Sequence, residues 1–195
     1  MTTAIVFAMV ALSWAPQAQA GVFNLYHFLS PGAFGIGLEP ELNMTGGASI
    51  GANIKYTQGL TDINNFTAII GTGGGNRGFR FGGNFTFDIF PDVDKQPGIG
   101  IAAQAIYYRA GGVGLLELTG IPYVHKTFLS TGNEIDPFLA IPIGYGFADG
   151  KYQALSSIAV GSRFKGNEFI HYFFELGFPI NNANSYISGG LAYYH

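Results

Sequence analysis

Ten ionisable residues of this chain fall on the polar side of an alternating pattern, and their types could do chemistry. The carboxylates could act as general acids or bases, the Lys and Arg side chains could bind anions, and the histidines titrate near neutral pH. The ten residues are Glu39, Lys55, Arg80, Asp88, Glu117, His125, Asp136, Arg163, His171 and Glu175. What they can do depends on the elements that position them.

These residues lie in segments that alternate between apolar and polar side chains. Between Arg77 and Phe90 the apolar positions are Phe79, Phe81, Phe85, Phe87 and Ile89, and the positions between them include Arg80, Asn84, Thr86 and Asp88. A β-strand points successive side chains to opposite faces, so this pattern predicts a strand with one apolar face. About ten such segments lie between turn signals, each near the length that a tilted strand needs to cross a bilayer.

The composition conflicts with a soluble surface. The chain is 48% hydrophobic and only 11% charged, whereas charged residues make up about a quarter of an average soluble domain. Apolar surface must therefore face something other than water. The 30 glycines suit a crowded barrel interior with the apolar faces toward lipid. We predict an all-β, closed, antiparallel up-and-down transmembrane β-barrel of about ten strands, with eight or twelve as alternatives.

Composition and motifs also exclude several classes of function. The net charge is −3 and no Lys/Arg stripe is present to neutralise phosphates, so nucleic acid is not a predicted partner. The chain has no cysteine, which excludes disulfides and thiolate metal sites. Gly73, Gly75 and Gly78 match G-x-G-x-x-G, but this motif lies between two predicted strands rather than before a helix. It is interpreted as a tight turn, and we predict no cofactor and no metal.

The N-terminus predicts an exported protein. Residues 1–20 contain an apolar run followed by the small-residue site Ala18-Gln19-Ala20, which is typical of a secretory signal peptide. Residues 21–31 form an N-terminal apolar segment, and residues 32–195 form the predicted barrel. The stretch from Val22 to Leu29 could lie at the membrane surface, add a short strand or plug the lumen. Its length favours the first two.

Aromatic residues near the strand ends indicate interfacial girdles, which supports a membrane location. They are Phe34, Tyr56, Phe66, Phe79, Tyr107, Tyr123, Phe128, Tyr145, Tyr152, Phe164, Phe178 and Tyr193. With this pattern and the signal peptide, the chain resembles the small outer-membrane β-barrels of Gram-negative bacteria. Its last strand resembles their C-terminal assembly signal at Ser188, Gly190 and Tyr193, but ends in His195 instead of Phe or Trp. The resemblance implies the bacterial outer membrane as location, with its lipid and the barrel-assembly machinery as partners.

Three functions compete for this barrel. The first is a narrow, porin-like pore or a membrane scaffold, in which the ten ionisable residues form a charged lumen cluster and a candidate constriction for ions or small solutes. Inward glycines such as Gly35, Gly100, Gly161 and Gly177 are expected to leave space in that lumen. The second is an adhesion or complex-forming protein.

The third function is a lipid A-modifying enzyme, because some barrels that resemble this one use a His, a Ser and a carboxylate. His171 and Glu175 are four residues apart on one strand, which is about 13 Å and too far for a dyad. A hairpin closed by Arg163 and Phe169 would place Glu175 opposite Ser157 and create no unique triad. We therefore predict no catalytic residue.

Overall fold

The computed structural model describes residues 28–45, 48–74, 78–110, 112–130 and 133–195. Every regular element in these ranges is a β-strand: β1 Phe34–Asn43, β2 Ser49–Thr61, β3 Asn64–Gly73, β4 Phe79–Phe90, β5 Gly98–Ala110, β6 Val113–His125, β7 Phe128–Ser130, β8 Asn133–Ala140, β9 Ile143–Ala148, β10 Lys151–Lys165, β11 Ile170–Asn181 and β12 Tyr186–Tyr194. No helix in the described ranges is long and apolar enough to span a membrane. The predicted signal peptide lies outside the described residues.

The strands close into one antiparallel barrel. β1 pairs with β2 on one side and with β12 on the other, from Gly35 opposite Tyr194 to Asn43 opposite Tyr186. β8 and β9 each pair with both β6 and β10, so they form one wall strand interrupted at Ile141-Pro142. β7 pairs only with β8 and extends this wall strand as a hairpin. The wall therefore has ten strands, which confirms the predicted fold class and strand number.

The interruption leaves the hydrogen-bond ladder largely intact. Proline has no N–H to donate, and a proline inside a sheet normally removes a ladder bond. Here the neighbouring groups still bond across the break: Ile141 N–H donates to the Pro122 carbonyl, and Ser157 N–H donates to the Pro142 carbonyl. Closure around the break thus satisfies backbone groups that a bilayer could not hydrate.

The two faces of the wall follow the sequence alternation. Outward positions carry large apolar side chains that stay exposed in the isolated chain, such as Ile50, Phe81, Phe85 and Tyr145. Inward positions are buried and carry most of the polar residues, as the burial pattern of β4 shows. An apolar outer face on a closed barrel is what a lipid environment requires. The chain is a membrane β-barrel.

The interior is more apolar than the sequence pattern indicates. Ile121, Tyr123 and Phe138 pack with alanines of β5, β8 and β10 in one buried cluster. Tyr123 was predicted to belong to an outer girdle, and that prediction is wrong. Alternate residues of a strand face the same side (the same parity), and Tyr123 alternates with Ile121 and His125 on β6. Its ring therefore points into the barrel, as theirs do.

The two ends of the barrel differ. We call the end that holds Ala33 and His195 the lower end, where Phe34 N–H bonds to the His195 carbonyl. Longer connections lie here, including the loop Pro91 to Pro97 between β4 and β5 and the β7–β8 hairpin. The upper end carries short connections, such as Asp149-Gly150, where both residues have positive φ and close a two-residue turn.

Candidate functional site

All ten ionisable residues singled out from the sequence point into the barrel and are buried. Most of them fall into two networks of hydrogen bonds and ion pairs. The upper network consists of Glu39, Glu41, Asn53, Lys55 and Arg80, and the lower network of Asp88, Tyr123, His125, Glu134, Asp136, Arg163 and His171. Glu175 accepts a hydrogen bond of 2.5 Å from the Tyr186 hydroxyl.

The upper network is built on adjacent strands β1 and β2. Lys55 Nζ lies 2.5 Å from Glu39 Oε2. Asn53 Nδ2 lies between the two carboxylates, donating to Glu39 Oε1 at 2.9 Å and to Glu41 Oε2 at 3.2 Å. Burial of these charges is costly unless they are paired and hydrogen-bonded, and this arrangement meets both conditions.

Arg80 joins the upper network from β4, across the intervening strand β3. Its Nε donates to Asn53 Oδ1 at 2.5 Å, and its Nη2 lies 3.1 Å from Glu41 Oε1. The crossing passes over Gly71, where an added Cβ would lie 2.2 Å from Asn53 Oδ1 and 2.8 Å from Arg80 Nε. Gly71 therefore provides the space in which the two side chains meet.

His125 is the centre of the lower network. Its Nε2 lies 3.1 Å from Asp88 Oδ2, and its Nδ1 lies 3.3 Å from Asp136 Oδ1. The Tyr123 hydroxyl donates to the other oxygen of Asp88 at 2.7 Å. Because each ring nitrogen of His125 faces a carboxylate, the imidazole bridges β4 and β8 and is not placed to accept a proton from a hydroxyl nucleophile.

Arg163 extends the lower network to β8 and β11. Its Nη2 lies 2.6 Å from Glu134 Oε1 and 3.3 Å from Asp136 Oδ2. Its Nη1 lies 2.7 Å from His171 Nδ1. A guanidinium only donates, so His171 Nδ1 must accept, which fixes the tautomer with its hydrogen on Nε2.

The strand register separates the residues considered for catalysis. The hairpin is not closed by the pairing of Arg163 with Phe169 that was considered from the sequence: Lys165 pairs with His171, and Gly161 pairs with Glu175. Asn167 explains the difference, because its side chain accepts the N–H groups of Phe169 and Ile170 and centres the turn on residues 167–169. Ser157 consequently pairs with Pro179, four residues beyond Glu175 on β11.

At several inward glycines, the space beside the glycine is filled by a side chain from a neighbouring strand. An added Cβ would lie 2.3 Å from the Tyr123 hydroxyl at Gly100, 2.6 Å from the Phe138 ring at Gly161, and 2.0 Å from the Tyr186 ring at Gly177. At Gly35 the ring of Tyr194 lies at 2.9 Å. The expectation that these glycines leave open space in the lumen is therefore wrong. Each one makes room for an aromatic ring.

The N-terminal residues close the lower mouth. We call Phe28–Ala33 the strap. Leu29 is buried against Phe173, Ala192 and Tyr194, and its N–H donates to Asn65 Oδ1 at 3.2 Å. Phe28 packs against the interior cluster around Ile121. The sequence favoured a short strand or a position at the membrane surface for these two residues. The structure shows neither. Residues 22–27 lie outside the described part of the chain.

Two cavities flank the strap. One of about 300 Å³ is lined by Glu134, His171 and Tyr194, among others. The second, of about 440 Å³, is lined by Asp88, His125 and Asp136 together with residues of the loop Pro91 to Pro97. Both cavities also contact Phe28. The lower network therefore lies directly behind the strap.

The loop Pro91 to Pro97 is clamped beside the second cavity. Lys126 Nζ forms an ion pair with Asp92, and Thr127 N–H donates to Asp92 Oδ2 at 2.6 Å. Partial desolvation alone would raise the pKa of Asp92. The hydrogen bonds from Lys126 and Thr127 and the Lys126 charge outweigh it and hold the pKa below its ordinary value. The clamp is therefore complete at neutral pH and is lost only as Asp92 protonates in acid.

Sequence reasoning missed several members of these networks. Asn53 and Tyr186 have inward parity, which was the available signal, but neither is charged. Glu134 shares the inward position of Asp136 on β8, but it lies at the start of the strand, from where its side chain reaches Arg163. No group of three or more acidic or histidine side chains in the described residues is arranged to hold a metal ion.

Comparison with solved structures finds a similarity in fold to designed transmembrane β-barrels. No protein-family model matches the chain, and no curated protein matches it. Among solved structures, it is similar to one described as "De novo design of transmembrane beta-barrels", with 10% identity, a TM-score of 0.44, and coverage of 86% of this chain and 98% of the other. It is also similar to "Solution NMR structure of de novo designed TMB2.3", with 14% identity, a TM-score of 0.39, and coverage of 84% and 94%.

Proposed function

We propose that this protein is a sealed membrane scaffold whose polar interior holds the wall in shape and does not conduct solutes. The observation that carries this proposal is the burial of inward side chains at every level. The exposed fraction is 0% for four inward residues at different heights in the barrel: Tyr186, Ser157, Glu39 and Ile121. A continuous aqueous channel would leave inward side chains accessible to water.

The two networks support a structural role for the charges. In the upper network, two carboxylates are matched by Lys55 and Arg80, with Asn53 bonded between them. In the lower network, Arg163 and His125 each bridge two acidic side chains. Such networks link strands that are not neighbours in the sheet, as Arg80 on β4 links to β1 and β2. They therefore brace the barrel across its interior.

Single-channel recording in a planar bilayer tests the proposal. The folded wild-type protein should give no steady conductance, because the inward side chains named above are buried from water. Arg80→Ala should also stay silent, and it should unfold more easily, because it leaves Glu41 and Asn53 without their guanidinium partner. Steady ion-selective currents from the wild type, altered by Arg80→Ala, would instead identify a narrow pore with Arg80 at its constriction.

We further propose the bacterial outer membrane as the location. Closure of the wall supports this, together with the signal-like leader of residues 1–20 and the last strand, where Ser188 and Gly190 point inward and Tyr193 points toward lipid. The assembly machinery would recognise this strand before the barrel closes. Fractionation of expressing cells tests the location. Recovery of the folded protein only in the inner membrane would contradict it.

A further inference from the structure

The strap is held in the lower mouth by few contacts. Leu29 is its one fully buried side chain, and Phe28 is partly buried. Leu29 N–H donates to the Asn65 side chain. The Gly32–Ala33 end is bonded to β2, where Gly32 N–H donates to the Gly59 carbonyl and the Ala33 carbonyl accepts from Gly59 N–H and Gln58 Nε2. Pro31 and Gly32 lie exposed at the rim. By contrast, each wall strand is hydrogen-bonded to a neighbouring strand on both sides, so the strap is held less firmly than the wall.

Two opposing contributions to the free energy act on the strap in its closed position. Its burial removes the Leu29 and Phe28 side chains from water, which favours the closed state. The same burial keeps Asp88 and Asp136 from water, and dehydration of charged groups opposes the closed state. Because the cavity of about 440 Å³ beside Phe28 already reaches these two carboxylates, withdrawal of the strap would hydrate them without moving a wall strand.

We propose that the strap Phe28–Ala33 is a releasable lid of the lower mouth. Its release joins the two flanking cavities into one vestibule, open to water from the lower end and bounded above by the cluster of Ala102, Ile121 and Phe138. The upper network stays closed during this change. The inference deepens the proposed sealed scaffold and rests on it, since the vestibule ends inside the barrel and makes no channel.

Gly59 on β2 gives a way to displace the strap without altering it. An added Cβ at Gly59 would lie 2.4 Å from the Ser30 carbonyl oxygen and 2.5 Å from that of Leu29. Both contacts are to strap backbone, which can relieve them only by moving away. Gly120 is the matched control, because a Cβ there meets no atom closer than 4.0 Å. Gly59→Ala should therefore shift the lid toward the open state, and Gly120→Ala should not.

Cysteine labelling reports the opening, since the chain has no cysteine of its own. Ala102→Cys places a thiol in the cluster against which Phe28 packs, and Ala159→Cys offers a second reporter in the same cluster. The folded protein in lipid vesicles is treated with a charged, water-soluble thiol reagent, and the labelling rate is measured by mass spectrometry. Ser157→Cys, buried outside that cluster, is the control for general loosening of the barrel.

The expected result is labelling of the Ala102 and Ala159 reporters that is about tenfold faster with Gly59→Ala, or with Leu29→Gly, than with the wild-type strap or Gly120→Ala. Tenfold corresponds to a shift of about 1.4 kcal/mol in the closing equilibrium. Labelling at Ser157→Cys should stay unchanged. Equal rates with and without Gly59→Ala and Leu29→Gly, or equal acceleration at Ser157→Cys, would overturn the lid. Conductance of the same variants is scored separately: faster labelling in a silent barrel supports both proposals, whereas a conducting wild type overturns only the sealed scaffold.

Discussion

At the scale of single residues, the interior is organised by pairs of a glycine and a large side chain on the neighbouring strand. The Tyr186 ring lies over Gly177, and its hydroxyl is fixed on Glu175. Tyr123 lies over Gly100 and is fixed on Asp88 in the same way. In each pair the glycine gives the ring its space, and the carboxylate holds the ring there. The pairs fill a lumen that a ten-stranded wall would otherwise leave partly open.

Gly177→Ala should destabilise the barrel. The new methyl group would lie 2.0 Å from the Tyr186 ring, which is fully buried and cannot rotate away without breaking its bond to Glu175. Overpacking of this kind costs about 1–3 kcal/mol. Urea unfolding of the protein in lipid vesicles measures the loss. Gly120→Ala is the control and should change the unfolding free energy by less than about 0.5 kcal/mol. Equal stability of the two variants would show that the ring can relax.

At the scale of elements, the alternation along each strand decides which side chains meet lipid. On β4, Phe85 is exposed on the outer face and Asn84 is buried inside. On β6, the same alternation turns Leu118 outward and Glu117 inward. A shift of one residue in a strand would exchange the two faces and place charges in the hydrocarbon.

Substitutions on the two faces of β4 should have unequal effects. Phe85→Arg places a charge against lipid, which costs about 2–4 kcal/mol near the bilayer midplane. Asn84→Ala removes a weak interior contact with Thr86, at 3.5 Å, and should cost no more than about 1 kcal/mol. The fraction folded after dilution into vesicles measures both. A larger effect of Asn84→Ala would mean that the interior, and not the outer face, determines insertion.

The alternation made much of this fold predictable from sequence. Parity alone assigned Phe85 and Asn84, and it placed Arg80 and Arg163 inside. It could not say which inward residues meet, because that depends on the stagger between strands that are distant in sequence. His171 contacts Arg163 only because Asn167 sets the hairpin register. Tyr123 was misplaced because proximity to a strand end was given more weight than parity.

At the scale of the whole molecule, closure should make the barrel resistant to detergent. Every wall strand has a partner on both sides, so no edge is available where unpairing can start at low cost. The folded protein should resist SDS at room temperature and change its electrophoretic mobility after boiling. A chain that ends before β12 lacks the closing pair and is the control, which should migrate alike in both lanes. Identical migration of the full chain in both lanes would contradict closure.

The seam between β1 and β12 also sets an order of events during folding. It joins the first and the last wall strands, with Gly35 opposite Tyr194, and no other strand pair spans so much of the chain. Contacts between such distant residues carry the largest loop-closure entropy and form late. Until the last strand is delivered, β1 therefore keeps unpaired the backbone N–H and C=O groups on the edge that faces away from β2. A nascent barrel of this kind needs either a water-exposed stage or a temporary strand donor to shield that edge.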